Sequence, residues 1–458
     1  MSKRNTAASA GPKTHEGAPA VGGDAMTQLK RTVLACLLWE GTFYEDGQSV
    51  ADRIKGLVPQ CNPQEVASLA IEVREQMHLR HVPLLLIREL ARYPSRFSVG
   101  WLLRRVVQRA DELAEFLALY WDKRDPKSGR RKPGQYPLAA QVKKGLGWAL
   151  AKFDEYQLAK YKAEGKVVSL ADVIKLVRPK PRDEAQAALW KRVLDGKLAP
   201  AGTHEERMSA GEDAKTVFED LLRSGKLGHM ALLRNLRKMD EVGAAEALVM
   251  GGLLVGAAKS KALPFRYISA ARAVPRWEPQ IHQAMQLAMK NLPKLPGKTV
   301  VLVDVSGSMD DHMSGKSDLT RKDAGAALAV LVVGIAESVR VFTFSDNPSE
   351  IPAREGMALV DLVHKARSGG TNLGEAIRHV AAKVPDADRL IVFTDEQSHD
   401  SVGAPHCKGY MVNVATAQHG VGFGPWVRID GFSEAIVRYI AELEGIHSQA
   451  PETDAESE

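Results

Sequence analysis

The sequence predicts two architectures in one chain: a mainly α solenoid of stacked helix pairs over residues 26–296, and an α/β doubly wound sheet over residues 297–446. Three observations predict this. Apolar residues recur at helical spacing from residue 26 onward, broken by Pro or Gly, and no alternating-polarity strand of any length precedes Thr299. Residues 299–303, Thr-Val-Val-Leu-Val, make a short apolar run rich in β-branched side chains, as a buried parallel strand requires. Beyond it, strand-like and helical patterns alternate, which is the arrangement that yields a parallel sheet covered by helices.

A chain of 458 residues has room for two or more domains, each with its own core. With 45% hydrophobic and 26% charged residues the composition is that of a soluble globular protein, and no apolar run is long enough to span a bilayer. Residues 1–25 are rich in Ala, Gly, Ser and Thr and lack the apolar core of a signal peptide, so a disordered N-terminus is expected. The acidic residues 447–458 are expected to be a disordered tail. Cys36, Cys61 and Cys407 are scattered, odd in number and without metal-ligand spacing, which predicts a reducing, cytoplasmic setting and no disulfide framework. The net charge of +6 is unevenly spread. From Gly297 to Glu458 there are 14 Lys and Arg against 24 Asp and Glu, a net −10, so Met1 to Pro296 carries +16. Such asymmetry points the first part at a polyanion, although a solvated helical surface has the same composition.

Taken in order, residues 26–40 open the ordered chain with Leu29, Val33, Leu34, Leu37 and Leu38 on one stripe. Gly41 to Tyr44 breaks it. Helical patterns follow at 50–57, 63–76, 83–93, 99–109 and 110–121, punctuated by Pro59, Pro63, Pro83, Pro94 and Gly100. Helix pairs at this spacing suggest HEAT-like repeats, each of which must stack on its neighbours to bury its apolar face; a plain helical bundle is the competing arrangement. Residues 122–135 form a basic loop containing Arg130, Arg131 and Lys132, suited to phosphates or merely to solvent. Helices are predicted at 139–150, with Lys143 and Lys144 on the polar face, and at 153–162, which carries Lys160 and Lys162. A further helix at 169–177 has Ser169 as N-cap and Asp172 in its first turn. Arg178-Pro179-Lys180-Pro181-Arg182 ends it with three cations in five residues. More helices are expected at 184–194, 212–224 and 229–239, the last with Met230, Leu232, Leu233, Leu236 and Met239 as its core stripe. Arg234 and Asn235 are expected to bond neighbouring backbone there. Pro264 and Pro279 mark two later helix starts.

The chemistry is concentrated where the apolar strand ends, in Asp304-Val305-Ser306-Gly307-Ser308. In open α/β sheets, ligands bind just beyond the carboxyl ends of strands. One carboxylate and two hydroxyls at alternate positions can converge there, and all are hard oxygen donors of the class that suits Mg²⁺ or Mn²⁺. Two more oxygens follow. Thr371 lies in the turn Ser368-Gly369-Gly370-Thr371-Asn372 that opens a helix at 374–384, and Asp395 ends an apolar strand at 389–394. Turns use the same residue types. What distinguishes this set is three segments in order, each after a strand or before a helix. The remaining elements are a helix at 323–338, strands at 339–344 and 409–414, and helices at 356–365 and 433–443, giving a parallel doubly wound sheet. His399, His406 and Cys407 lie near one another, but their spacing fits no zinc pattern and no fourth ligand stands out. No Gly-rich phosphate loop, Ser/His/Asp order or pair of catalytic carboxylates stands out, so the reading is not an enzyme.

Asp-x-Ser-x-Ser, then Thr, then Asp resembles the metal-ion-dependent adhesion site of von Willebrand factor A domains. The resemblance implies that Ser306, Ser308 and Thr371 supply hydroxyls while Asp304 and Asp395 bind largely through water. It also implies one open coordination position for a partner's carboxylate. The order of landmarks along the whole chain is recognisable too: Leu29-Lys30-Arg31, Glu40 to Tyr44, the Met-Ala-Leu-Leu-Arg-Asn-Leu-Arg-Lys-Met helix, Pro264-Phe265, Trp277 with Pro279, then the A domain. It resembles the TROVE-domain family of the Ro autoantigen and its bacterial relatives. That resemblance implies a ring of HEAT-like helices whose ends the A domain joins. Single-stranded 3′ ends of misfolded or unprocessed RNA would enter it. A small non-coding Y-like RNA would lie on the outer basic surface, and a 3′ exoribonuclease such as polynucleotide phosphorylase would be a partner of the monomer. By the same resemblance Lys160, Lys162, Arg178 and Lys180 face the Y RNA, with Arg178 replacing a family His by another donor. The alternative is a metal-site-dependent protein adaptor whose helices are a docking platform and bind no RNA. The +16 of the first part favours the RNA reading.

Overall fold

The fold is that of a computed structural model, which describes residues 24–34, 47–75, 79–92, 99–121, 138–161, 168–260, 262, 264–290, 292, 294–313, 319–415, 420–422, 424–430 and 435–446. Contacts divide these into two compact units, residues 24–34 and 48–221 in one and residues 47 and 222–446 in the other, so that the first residue of α2 and the last two of α12 fall with the second. The chain is mainly helical, with one α/β sheet.

The first unit contains α1 (Ala25–Leu34), α2 (Gly47–Leu57), α3 (Pro63–Glu75), α4 (His81–Leu90), α5 (Val99–Val106), α6 (Asp111–Tyr120), α7 (Ala140–Leu150), α8 (Glu155–Lys160), α9 (Leu170–Val177), α10 (Glu184–Leu194), α11 (His204–Ser209) and α12 (Ala214–Arg223). Helices α3, α5, α7 and α9 touch in succession, while α4 and α6 form a second row that packs on them. This is solenoid stacking: no helix can cover its apolar stripe alone, and one continuous core runs from Leu29 to Val193. The α5–α7 contact is the tightest. A Cβ on Gly145 would lie 2.6 Å from Gly100 Cα and 2.7 Å from its carbonyl oxygen, so the two backbones meet where two glycines face each other. Charge is buried beside this core. Glu112 is fully buried and accepts from Arg74 Nη2 at 2.7 Å and from the Gln108 and Arg109 amides, which closes the turn before α6. Ser169 and Asp172 form a capping box at the start of α9, and the helix ends at Arg178 with φ +50°, ahead of Pro179.

The second unit contains α13 (His229–Glu241), α14 (Glu246–Ala257), α15 (Pro264–Ala273), α16 (Glu278–Met289), β1 (Leu295–Asp304), α17 (Arg321–Ile335), β2 (Ala336–Phe344), β3 (Pro348–Ile351), α18 (Met357–Lys365), α19 (Leu373–Lys383), β4 (Arg389–Thr394), β5 (Lys408–Asn413), β6 (Val427–Asp430) and α20 (Ala435–Leu443). The sheet order is β3-β2-β1-β4-β5-β6, with β1 central and parallel to both β2 and β4. Four expectations need correction. The sheet is mixed, because β3 pairs antiparallel with β2 at one edge. Strand β2 starts at Ala336, where pairing with Leu295 takes over three residues that local pattern assigned to the preceding helix. Met230 is exposed and belongs to no core stripe, whereas Leu232, Leu233, Leu236 and Met239 are buried. Arg234 is exposed to solvent; Asn235 does donate to the Ala231 carbonyl at 2.8 Å. Helices α15 and α16 pack on α17, so α13–α16 belong with the sheet.

Candidate metal centre and nucleic-acid surface

The register Val303↔Phe393 puts Asp304 and Thr394 side by side at the carboxyl ends of β1 and β4, with Asp395 one residue further. Thr394 Oγ1 donates to Asp304 Oδ2 at 2.6 Å, and the Ser306 amide donates to Asp304 Oδ1 at 2.9 Å. The Asx-type turn this makes brings the Ser306 and Ser308 hydroxyls to 3.3 Å of each other. The Gly307 amide donates to the Gly369 carbonyl at 3.1 Å, tying this loop to the turn that holds Thr371. Thr371 is fixed from the other side. Its amide donates to His399 Nδ1 at 2.9 Å, and its carbonyl accepts from the His399 amide at 2.8 Å and from Ser398 Oγ at 3.2 Å. The three segments picked out in the sequence therefore meet at one end of the sheet.

Asp304 and Asp395 are fully buried. Burial, reinforced by the negative charge of Asp395, pushes the Asp304 carboxyl well above the ordinary carboxylate range. A divalent cation would relieve that cost, and two carboxylates with three hydroxyls are a hard-oxygen set that fits Mg²⁺ or Mn²⁺. Among the described residues no cluster of three or more His, Cys, Asp or Glu could hold a metal, so any ion here depends on the hydroxyls. His399 serves Thr371 and His406 Nε2 bonds the Val384 carbonyl, so these residues do not form a zinc site with Cys407, whose thiol burial pushes up to about 11. Sequence reasoning missed Arg321. This buried first residue of α17 donates from Nη1 to the Ser308 carbonyl at 3.1 Å and lies 3.9 Å from Asp395 Oδ2. No local signal announces it, because only the fold brings the start of α17 to the end of β4.

In the helical unit, Lys143 and Lys144 on α7, Lys160 on α8, and Arg178 and Lys180 after α9 are all exposed. Among the described residues none of the five pairs with a carboxylate. Lys144 Nζ sits 4.7 Å above the Trp148 ring, and Lys160 Nζ sits 5.4 Å above Tyr156. Arg130, Arg131, Lys132 and Lys162 lie outside the described residues.

Residues 181–333 match the family model of the TROVE domain, and residues 298–407 match that of the Ro60 vWA domain. Both matched segments are thus similar to the domains of TROVE-type Ro proteins. The second match covers Asp304, Ser306, Ser308, Thr371 and Asp395, so the loop cluster at the end of the sheet lies inside the segment similar to a Ro60 vWA domain. A crystal structure of the Deinococcus radiodurans Ro (RSR) protein matches the fold with a TM-score of 0.58 at 20% identity, over 92% of this chain and 100% of that one. No curated protein matches the chain. Ro and TROVE-domain proteins are RNA-binding proteins, which fits the exposed cations of the helical unit.

Proposed function

We propose that this protein is an RNA-binding ribonucleoprotein scaffold in RNA quality control or processing. Its basic outer surface tethers a Y-like small non-coding RNA. The ring that the family resemblance implies takes single-stranded ends of misfolded or unprocessed RNA and presents them to a 3′ exoribonuclease such as polynucleotide phosphorylase. The observation that carries the reading is the set of five exposed cations on α7, α8 and the end of α9, unpaired with carboxylates among the described residues, in the part of the chain that holds +16. Phosphates attract such a set, and the counterions they release add affinity. Asp304, Ser306, Ser308, Thr371 and Asp395 would hold Mg²⁺ or Mn²⁺, which supplies a positive point for a partner's carboxylate. The protein's part is to fix those oxygens; it binds and presents rather than catalyses.

Gel-shift titration of the full chain with stem-loop and single-stranded transcripts tests this. Five phosphate contacts give a log–log salt slope of about −4.5 on a duplex, so raising salt from ~50 to ~200 mM weakens binding roughly 500-fold. Lys143→Ala/Lys144→Ala should lower the slope by about 2. A wild-type protein that ignores both transcripts at low salt leaves the adaptor reading, in which the A domain alone grips an acidic partner.

A further inference from the structure

Two large aromatic side chains stand in solvent on neighbouring helices. Trp101 on α5 is 46% exposed and Trp148 on α7 is 39% exposed. Large exposed aromatics on helices call for an explanation, because they leave apolar area in water that packing would normally remove. Helices α5 and α7 run parallel: Gly100 meets Gln141 and Gly145, and further along Lys152 Nζ donates to the carbonyls of Arg104 and Val107. Trp101 sits beside the first of these crossing points and Trp148 lies between the two, so the tryptophans flank one α5–α7 seam. Lys144 Nζ lies 4.7 Å from the Trp148 ring, and Arg105 lies 5.4 Å from the Trp101 ring while its guanidinium donates to both oxygens of Glu75 on α3. Neither helix carries a single Asp or Glu; α5 reads VGWLLRRV and α7 reads AQVKKGLGWAL.

We infer that the α5–α7 seam is a stacking platform for unpaired RNA, with Trp101 and Trp148 each taking one base face and Arg104, Lys143 and Lys144 taking the intervening phosphates. This rests on the RNA reading and deepens it by naming which form of RNA is held and by what. Every base has a π-face, so aromatic platforms bind single strands with little sequence preference, whereas a duplex keeps its faces stacked inside. Within the two helices the exposed charges are Arg104, Arg105, Lys143 and Lys144, and among the described residues only Arg105 of these is neutralised by a carboxylate, Glu75 of α3; the remaining cations suit a polyanion. Packing supports the geometry. The glycine contact at Gly100 and Gly145 brings the helix axes close and holds them without long side chains between, so the tryptophans' positions are fixed by backbone.

The test uses the full chain, fluorescence anisotropy and three probes of equal length: a labelled single-stranded ribo-oligonucleotide, the same oligomer with central abasic residues, and its duplex. Wild type should prefer the base-bearing strand over the abasic one by about tenfold or more. Trp101→Ala/Trp148→Ala should bring that ratio close to one and leave the salt slope unchanged, and Trp101→Phe/Trp148→Phe should restore most of it. Lys144→Ala should weaken the base-bearing and abasic strands alike. Circular dichroism of the variants checks folding; loss of binding without loss of helix supports the platform. A wild-type protein that binds RNA but prefers base-bearing strands equally well after both tryptophans become alanine overturns the inference and assigns the seam to a protein partner. Failure of wild type to bind any of the three probes overturns the RNA reading itself, a different result.

Discussion

Gly145→Ala is the sharpest test of the packing that sets the nucleic-acid surface. In an ordinary helix the change stabilises by roughly 0.5–1 kcal/mol, because Gly loses more backbone freedom than Ala. At Gly145 the new methyl would lie 2.6 Å from Gly100 Cα, 2.7 Å from the Gly100 carbonyl oxygen and 3.0 Å from Leu103 Cβ. Two of these are backbone atoms of another helix, which no rotamer change can move. Overpacking of this kind costs about 1–3 kcal/mol, so the net effect is a loss of roughly 1–2 kcal/mol. For a unit of about 200 residues each kcal/mol lowers the midpoint by about 2–4 °C. The expected fall is therefore about 2–8 °C by far-UV circular dichroism. Gly56→Ala is the internal control: it is a glycine of α2 with nothing within 4 Å of an added Cβ, and should melt at or slightly above wild type. If Gly145→Ala melts at or above wild type while Gly56→Ala behaves as stated, α5 and α7 do not approach as described, and the placement of Lys143, Lys144 and Trp148 falls with them.

Three further outcomes are expected. Saturating Mg²⁺ or Mn²⁺ should raise the melting temperature of the sheet unit, by up to about 2.7 kcal/mol of stability at a hundred times Kd, and Asp395→Asn should abolish the shift in calorimetry. Asp323→Ala should destabilise by roughly 3 kcal/mol, read as a shifted denaturant midpoint. Burial alone would raise that carboxyl, but hydrogen bonds from His364 and Arg272 and the Thr320 amide hold it well below the ordinary range, and all three lose their acceptor. His229 gives a pH signature. Burial pushes its ring down to about 4, so the unfolded chain binds the extra proton between pH ~6.5 and ~4; stability is intact above pH ~6.5 and falls below it. With solvent screening of a half-buried ring the loss is roughly 1–2 kcal/mol. His229→Gln keeps a partner for the Tyr267 hydroxyl 2.9 Å away and should flatten that part of the profile; an unchanged acid limb would refute the assignment.

What was legible in the sequence was what local chemistry decides. Asp304 could be found because a β-branched run stops at a carboxylate and two serines, and Ser169 could be found because a capping box spans only four residues. Pairing was not legible. Strands β3 and β6 are four residues each, and β3, Pro-Ser-Glu-Ile, has no apolar run; it exists because β2 offers it an edge. Helix α11 is six residues with few apolar positions, and α14 is apolar nearly all round with three glycines, so neither has a clear helical stripe. The apolar body of β1 was readable but its onset was not: the strand starts at Leu295, four residues before Thr299, where pairing with β2 begins, and which helices pack on its sheet unit is likewise a tertiary fact. His399 was rightly set aside as a zinc ligand, but its actual part, holding Thr371 through its imidazole, depends on contacts across the fold.

Arg321 explains why two buried carboxylates can share one end of the sheet. A unit charge about 4 Å away is worth about 4 kcal/mol at an effective dielectric of 20, enough to offset much of the repulsion between Asp304 and Asp395. The Ser308 carbonyl fixes the guanidinium, so it remains when an ion is bound. Asp311 lies at the same 3.9 Å from the guanidinium as Asp395, so Arg321 is shared between a buried carboxylate of the site and one at its rim. In the proposed scaffold an ion held by Asp304 and Asp395 would add positive charge beside Arg321, and Asp311 would offset part of it. A partner's carboxylate would then be attracted by what remains, so Arg321→Gln should weaken an acidic partner more than it weakens the ion.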